Sequence, residues 1–315
     1  MNAAIANNPR RIDVHHHHTS PGFCALIRAL NTGQKHHEDW QPADSIATMD
    51  EGGVATSVTS TTEPGVWAGD DKAACDLARE SNDYQADLVV NYPGRFGMFT
   101  TLPMPNIEGT LREIEYGFDV LKADGICFMT SYLGKYLGDP AFTPVMQELN
   151  RRHAVAYVHP TRTKITNLVP DLIDAILEYG TETSRTIASL MFSGTATRFP
   201  NIRFIFSHGG GTLPFLMGRI LFWADRRQDL KPRLPDGPIA QLHKFFFDTA
   251  QAFNPYALAS VTKLMPASQI VFGTDFPVIT PAVTAQGLID FGFSAADLRL
   301  IDRDNALRLM PRLNW

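Results

Sequence analysis

Eight short runs rich in β-branched and aromatic residues, each bounded by turn residues, recur near 11–16, 54–60, 96–102, 124–130, 154–158, 202–207, 244–249 and 269–274. Their starts lie 43, 42, 28, 30, 48, 42 and 25 residues apart. Most of the intervals hold one segment of helical period, as at 70–88, 107–122, 142–152 and 213–226. A helix between two strands returns the chain to the same end of the sheet, so the strands run parallel. Eight such units in 315 residues, with no Pro/Gly/Ser linker dividing them, predict a single (β/α)8 TIM barrel over residues 11–315 with extended βα loops. An open doubly wound sheet should carry a glycine-rich phosphate turn after its first strand, and four histidines stand there instead. Residues 1–10 are expected to form a flexible lead-in. Extra length falls at 19–50 and 227–241, where functional loops are common.

Composition excludes several classes. With 28 Lys+Arg against 33 Asp+Glu and no basic run, the chain offers no footprint for nucleic acid or an anionic membrane. It holds no apolar stretch of the roughly 18 residues needed to span a bilayer, and its N-terminal residues lack a secretory apolar region. Cys24, Cys75 and Cys127 form no CxxC pair, which fits a reduced, cytoplasmic protein.

A barrel of this kind builds its site at the C-terminal ends of the strands. Here the first strand ends Asp13-Val14-His15-His16-His17-His18, the fifth Val158-His159-Pro160, the sixth Ser207-His208-Gly209-Gly210-Gly211, and the eighth Gly273-Thr274-Asp275-Phe276-Pro277. Side chains alternate along a strand, so either His15 with His17 or His16 with His18 faces the interior. Ile12 and Val14 are apolar and are expected to face the helices, which selects His15 and His17 and places Asp13 inward. Two imidazoles with His159 and Asp275 as completing donors suit one catalytic metal that keeps a position open. His208, followed by three glycines, is expected at the barrel mouth, where an imidazole exchanges a proton near neutral pH.

These endings, taken in order, resemble the amidohydrolase-related group that includes aminocarboxymuconate semialdehyde decarboxylase, γ-resorcylate decarboxylase and 6-methylsalicylate decarboxylases. The resemblance rests on IDVHHH, GDPAFTPVMQELNRR leading into AYVHP, TRFPNIRFIFSHGGGTLPF and VFGTDFP, which together run from residue 12 to 277. It implies the same barrel, one divalent metal on His15, His17, His159 and Asp275, and His208 as the acid/base. Two-metal relatives bridge their ions with a lysine at the end of the fourth strand, and 124–130 contains none, so one metal is expected. Zinc is the first choice for an imidazole-rich site and manganese the second.

The reaction the resemblance implies is non-oxidative decarboxylation of a small aromatic, hydroxybenzoate-like or unsaturated carboxylic acid, with His208 or Asp275 moving the proton. Hydrolysis or hydration of a lactone or diacid is the alternative, and a non-catalytic metal-binding barrel is a third reading. The segment Leu121-Lys122-Ala123-Asp124-Gly125 with Thr130-Ser131 resembles the 6-methylsalicylate type and favours an aromatic acid. Trp40, Tyr132, Arg162 and Phe276 are the candidate substrate contacts, as aromatic wall and carboxylate clamp. His36 and His37 lie in a polar stretch and are read as solvated. Leu213, Leu216, Met217 and Leu221 follow a helical period as core or oligomer interface, and a homodimer or higher homo-oligomer is expected.

Overall fold

A computed structural model describes residues 10–32, 35–162 and 169–315. The expected lead-in at 1–10 therefore lies outside the described residues, apart from Arg10. Eight parallel strands form one sheet in sequence order: β1 (Arg11–His17), β2 (Val54–Ser60), β3 (Phe96–Thr101), β4 (Gly125–Met129), β5 (Val155–His159), β6 (Arg203–Phe206), β7 (Phe246–Asp248) and β8 (Ile270–Val271). All eight coincide with predicted runs. The eighth is shorter than expected, because the chain leaves the ladder at Phe272 and continues beside β1. There Val14 N–H donates to Phe272 O (3.0 Å), Asp275 N–H to His15 O (2.8 Å) and His17 N–H to Phe276 O (2.8 Å), which closes the barrel.

Alternation along the strands divides the apolar residues into two layers. Val58, Phe99, Cys127, Tyr157, Ile205 and Val271 fill the interior. Phe96, Ile126, Phe128, Val158, Phe204, Phe206 and Phe272 face the helices in a second, larger cluster. The C-terminal residues Ala306, Leu309, Met310 and Leu313 pack into the interior cluster and plug the end from which the strands start. That end is thus a packed core, and polar chemistry is left to the other.

The outer helices begin where side-chain oxygens take up otherwise unpaired N–H groups. Asp70 accepts from Ala73 N–H (2.7 Å), Asn106 from Gly109 N–H (2.9 Å) and Asn254 from Ala257 N–H (3.0 Å). The loop after β1 folds into the helices Pro21–Ala29, Lys35–Glu38 and Pro42–Gly52. The loop after β4 is a small hairpin pairing Ser131–Tyr132 with Lys135–Tyr136. Among the described residues no helix is long and apolar enough to cross a membrane.

Candidate metal centre

Strand β1 carries a register shift against β2 between Asp13 and His16, where three steps on β1 match two on β2. This bulge changes which residues face inward. Ile12 and Val14, expected toward the helices, belong to the interior cluster. Arg11 instead reaches outward to Asp302 (2.9 Å) and Gly52 O (2.8 Å). Asp13 stitches the bulge together: it accepts from His15 N–H (3.0 Å), Thr274 N–H (3.1 Å) and the Thr274 hydroxyl (2.6 Å), and contacts His16 Nδ1 (3.1 Å). Beyond the bulge His15 and His17 point into the barrel as predicted, but simple alternation from Ile12 and Val14 does not explain why. The extra residue does.

His15, His17, His159 and Asp275 each bring one donor atom, all within 4.8 Å of one another, and all four are buried. His15 Nε2 lies 3.2 Å from His17 Nε2, and each of these nitrogens is 3.1 Å from Asp275 Oδ1. The donor set tests well against a divalent cation, because each Nδ1 faces an acceptor outside the cluster: Asp248 Oδ2 for His15 (2.7 Å), Ser60 O for His17 (3.3 Å) and Pro160 O for His159 (2.8 Å). An Nδ1–H held in that way leaves the Nε2 lone pair directed at the centre, the tautomer a ligand needs. Among the described residues these four are the only group so placed.

The electrostatics fit the same occupant. Burial would lower the His15 pKa, but Asp248 and Asp275 on its two sides raise it to about 10. Burial lowers the pKa of His17 and drives that of His159 well below its ordinary range, in the latter case reinforced by His17 and His15. Asp275 is also buried, yet His15, His17 and His208 hold it well below the usual carboxylate range. The pocket therefore retains a carboxylate at Asp275, neutral imidazoles at His17 and His159 and a proton on His15, so it gathers one positive charge in their midst.

His208 stands beside this centre with its side chain 12% exposed, and its Nε2 is 3.3 Å from Asp275 Oδ2. Its backbone is left-handed (φ 55°), and its N–H donates to Asp248 Oδ1 (2.8 Å). The glycines that follow are demanded by the turn. Gly211 has φ 66°, and a Cβ there would lie 1.9 Å from Gly180 O.

Asp248 and Gln251 also belong to the site and were missed from the sequence. Asp248 ends β7 and joins His15 to His208; it could have been found by asking what the seventh strand ends with, as for the others. Gln251, left-handed at φ 51°, donates from Nε2 to Asp275 Oδ2 (2.5 Å), and only the fold brings it there. His37 is buried, not solvated: its ring packs edge-on against His17 with centroids 5.5 Å apart, and burial together with His17 holds its pKa well below the ordinary range. His16 faces outward to Ser45 Oγ (2.8 Å), and His18 meets Ser81 Oγ (2.9 Å) behind the barrel wall.

The four substrate-contact candidates part company. Trp40 lies in the helix-side core and donates to Ser45 Oγ (3.0 Å), while Phe276 stacks on His16 at 4.7 Å. Neither belongs to the described lining of the cavity that the other two share. Tyr132 and Arg162 line that cavity, of about 490 Å³, over the ends of β2–β4. The Tyr132 hydroxyl oxygen accepts from Met129 N–H (2.8 Å), and Arg162 lies 3.8 Å from Glu63.

Comparison with known proteins agrees with this geometry. Decarboxylase yanB of Aspergillus niger is 36% identical over 96% of this chain and 88% of its own. The 6-methylsalicylic acid decarboxylase of Penicillium expansum is 33% identical over 96% and 97%. The crystal structure of a dihydroxybenzoic acid decarboxylase from Polaromonas sp., with bound manganese and the inhibitor 2-nitroresorcinol, superposes with a TM-score of 0.82 at 24% identity over 97% of both chains. The amidohydrolase family model matches residues 12–312. With the barrel, the ordered strand endings and the matched length in agreement, the chain belongs to the amidohydrolase family.

Proposed function

We propose that this protein is a metal-dependent, non-oxidative decarboxylase of a hydroxybenzoate-type aromatic acid. In that reaction the bond from ring carbon to carboxylate breaks, CO2 leaves, and a proton takes its place with no change of redox state. The observation that carries the reading is the division of Asp275: Oδ1 joins His15 and His17 in the donor cluster, while Oδ2 faces His208 at 3.3 Å. The relatives named as decarboxylases support it.

His15, His17, His159 and Asp275 would hold the cation, for which three imidazoles favour zinc, with manganese second. A divalent ion supplies Lewis acidity, polarising the oxygens of the bound acid. The other tasks fall to side chains. His208 carries the proton to the ring carbon, because it is the imidazole of the cluster that reaches the mouth and can recover a proton from solvent. Asp275 Oδ2 takes up the His208 N–H and, with Gln251, keeps that ring aimed. Asp248 fixes the tautomer of His15 and the backbone of His208 together.

The same proposal places the protein in the cytoplasm, where its three free thiols remain reduced, and makes it a homodimer. Exposed Ile173, Ile176, Leu177, Phe215, Phe222 and Trp223 on and beside the helices Asp174–Phe192 and Leu213–Arg226 supply the contact face. Light scattering should return twice the 34.9 kDa chain mass.

Metal-loaded protein incubated with 2-hydroxybenzoates should release CO2 in step with loss of substrate. The His208→Ala variant should keep its metal and lose turnover by ~10² to 10⁴, as for removal of a general acid. Consumption of substrate without CO2, or loss of metal from that variant, would refute the assignment.

A further inference from the structure

The metal donors come from β1, β5 and the segment after β8, and occupy one side of the barrel mouth. The cavity of about 490 Å³ occupies the other side, over β2–β4. The two share walls. Thr161 and Arg162, two and three residues beyond His159, line the cavity. So does Thr61, which follows the Ser60 carbonyl that holds His17. An acid whose carboxylate sits at the metal centre therefore has this void beside its ring.

The chemistry of the void is uneven. Its floor is Val66, Leu102, Met104, Cys127 and Met129, each at most 4% exposed. Among the described residues, the two cations of its lining are matched by glutamates: Arg185 Nη1 donates to Glu182 (2.6 Å), to which the Tyr136 hydroxyl also donates (2.7 Å), and Arg162 lies 3.8 Å from Glu63. Glu178 adds a further acidic group to the lining. A second carboxylate would meet paired guanidiniums and the two lining glutamates Glu178 and Glu182, whereas a hydrocarbon group would meet the floor. The space is also larger than a bare ring requires, since an apolar cavity of ~150 Å³ already admits benzene.

We propose that the natural substrate is a mono-acid whose ring carries an apolar substituent larger than methyl, housed in this cavity. The proposal rests on the decarboxylase reading for turnover but not for binding. The probes are 2-hydroxybenzoates bearing hydrogen, methyl, propyl or pentyl at ring position 4 or 6, with a ring dicarboxylate as the charged comparison. Their Kd values are measured by calorimetry and their kcat/KM by CO2 release on the metal-loaded protein. In one positional series both quantities should improve by about threefold to fourfold per added methylene. The dicarboxylate should bind more weakly than the methyl compound.

Affinity that is flat or weakens beyond methyl in both series, or a dicarboxylate bound as well as the propyl compound, would overturn the proposal. Absence of CO2 from every probe, with affinity still rising along the chain, would instead refute the decarboxylase reading and leave the cavity assignment standing. Met104→Phe shrinks the buried floor, and Leu133→Trp encroaches from the exposed hairpin tip, so at least one variant should fold. Each should lower the pentyl-to-methyl ratio of affinities at least threefold. An unchanged ratio in a folded variant would also overturn the proposal.

Discussion

Replacing Asp248 by Asn tests the site at the point where two functions meet. The side chain is buried and serves three donors from two oxygens: Oδ2 faces His15 Nδ1 (2.7 Å), and Oδ1 accepts from His208 N–H (2.8 Å) and Ala250 N–H (3.1 Å). An amide has one oxygen, so neither orientation satisfies all three. If the oxygen keeps the two backbone donors, the NH2 group confronts His15 Nδ1. The ring then has to carry its proton on Nε2 and ceases to be a ligand. If the amide flips, two buried N–H groups face an NH2. Losing a buried hydrogen bond to a charged group costs about 1.5–3 kcal/mol, which corresponds to roughly 10- to 100-fold in metal affinity, the range seen when the carboxylate behind a metal-bound histidine is removed. Competition with a chelator of known affinity measures this, with elemental analysis for content and circular dichroism to show that the fold is kept. Wild-type affinity in a folded Asn variant would refute the claim that Asp248 sets the His15 tautomer.

Metal uptake should release protons. In the metal-free protein His15 is raised to about 10, so its proton competes with the ion below that value, and affinity should climb about tenfold per pH unit between 7 and 9. Calorimetry in two buffers of different ionisation enthalpy should give about one proton released per ion at pH 7.5, and zero would contradict the assignment. The same shift has a stability sign. Because the folded pKa lies above the ordinary 6.5, its contribution to the metal-free fold is complete below 6.5 and fades as pH rises toward 10. Asp275→Asn should lose both metal and activity, since it removes the charge that His15, His17 and His208 all face, and a fully loaded, fully active variant would exclude its double role. Asp13→Ala leaves buried donors of His15 and Thr274 unpaired, at about 1–3 kcal/mol apiece, and should lower the thermal midpoint by several degrees in scanning fluorimetry. Burial pushes the Cys127 thiol up to about 12, so iodoacetamide at pH 8 should leave it unmodified until the chain is unfolded, as peptide mass spectrometry would show.

Much of the site was legible because a barrel places strand ends together whatever lies between them. Polar residues ending apolar runs at His15, His17, His159, His208 and Asp275 needed only the strand positions to be gathered, and burial of so many polar groups demands a shared partner. What failed was inference across a local irregularity. Strict alternation put Ile12 and Val14 on the helix side, and nothing in Arg11–His17 announces a bulge; the bulge exists because Asp13 can satisfy donors of His15 and Thr274 from across the closing seam. His37 looked solvated since its neighbours in sequence are polar, yet the loop lays it against His17. Trp40 and Phe276 looked like pocket walls and are packing residues.

The sequence alone determined the number and order of the strands and the donor types at their ends, because hydrophobic period and turn residues are local properties of the chain. The tertiary structure decided which nitrogen of each histidine faces the centre, which oxygen of Asp275 faces His208, and what shape of cavity adjoins them. Those depend on partners such as Asp248 and Gln251, which lie 233 residues from His15 and 24 from Asp275 along the chain: closure of the barrel brings the first within hydrogen-bonding distance, and pairing of β7 with β8 the second.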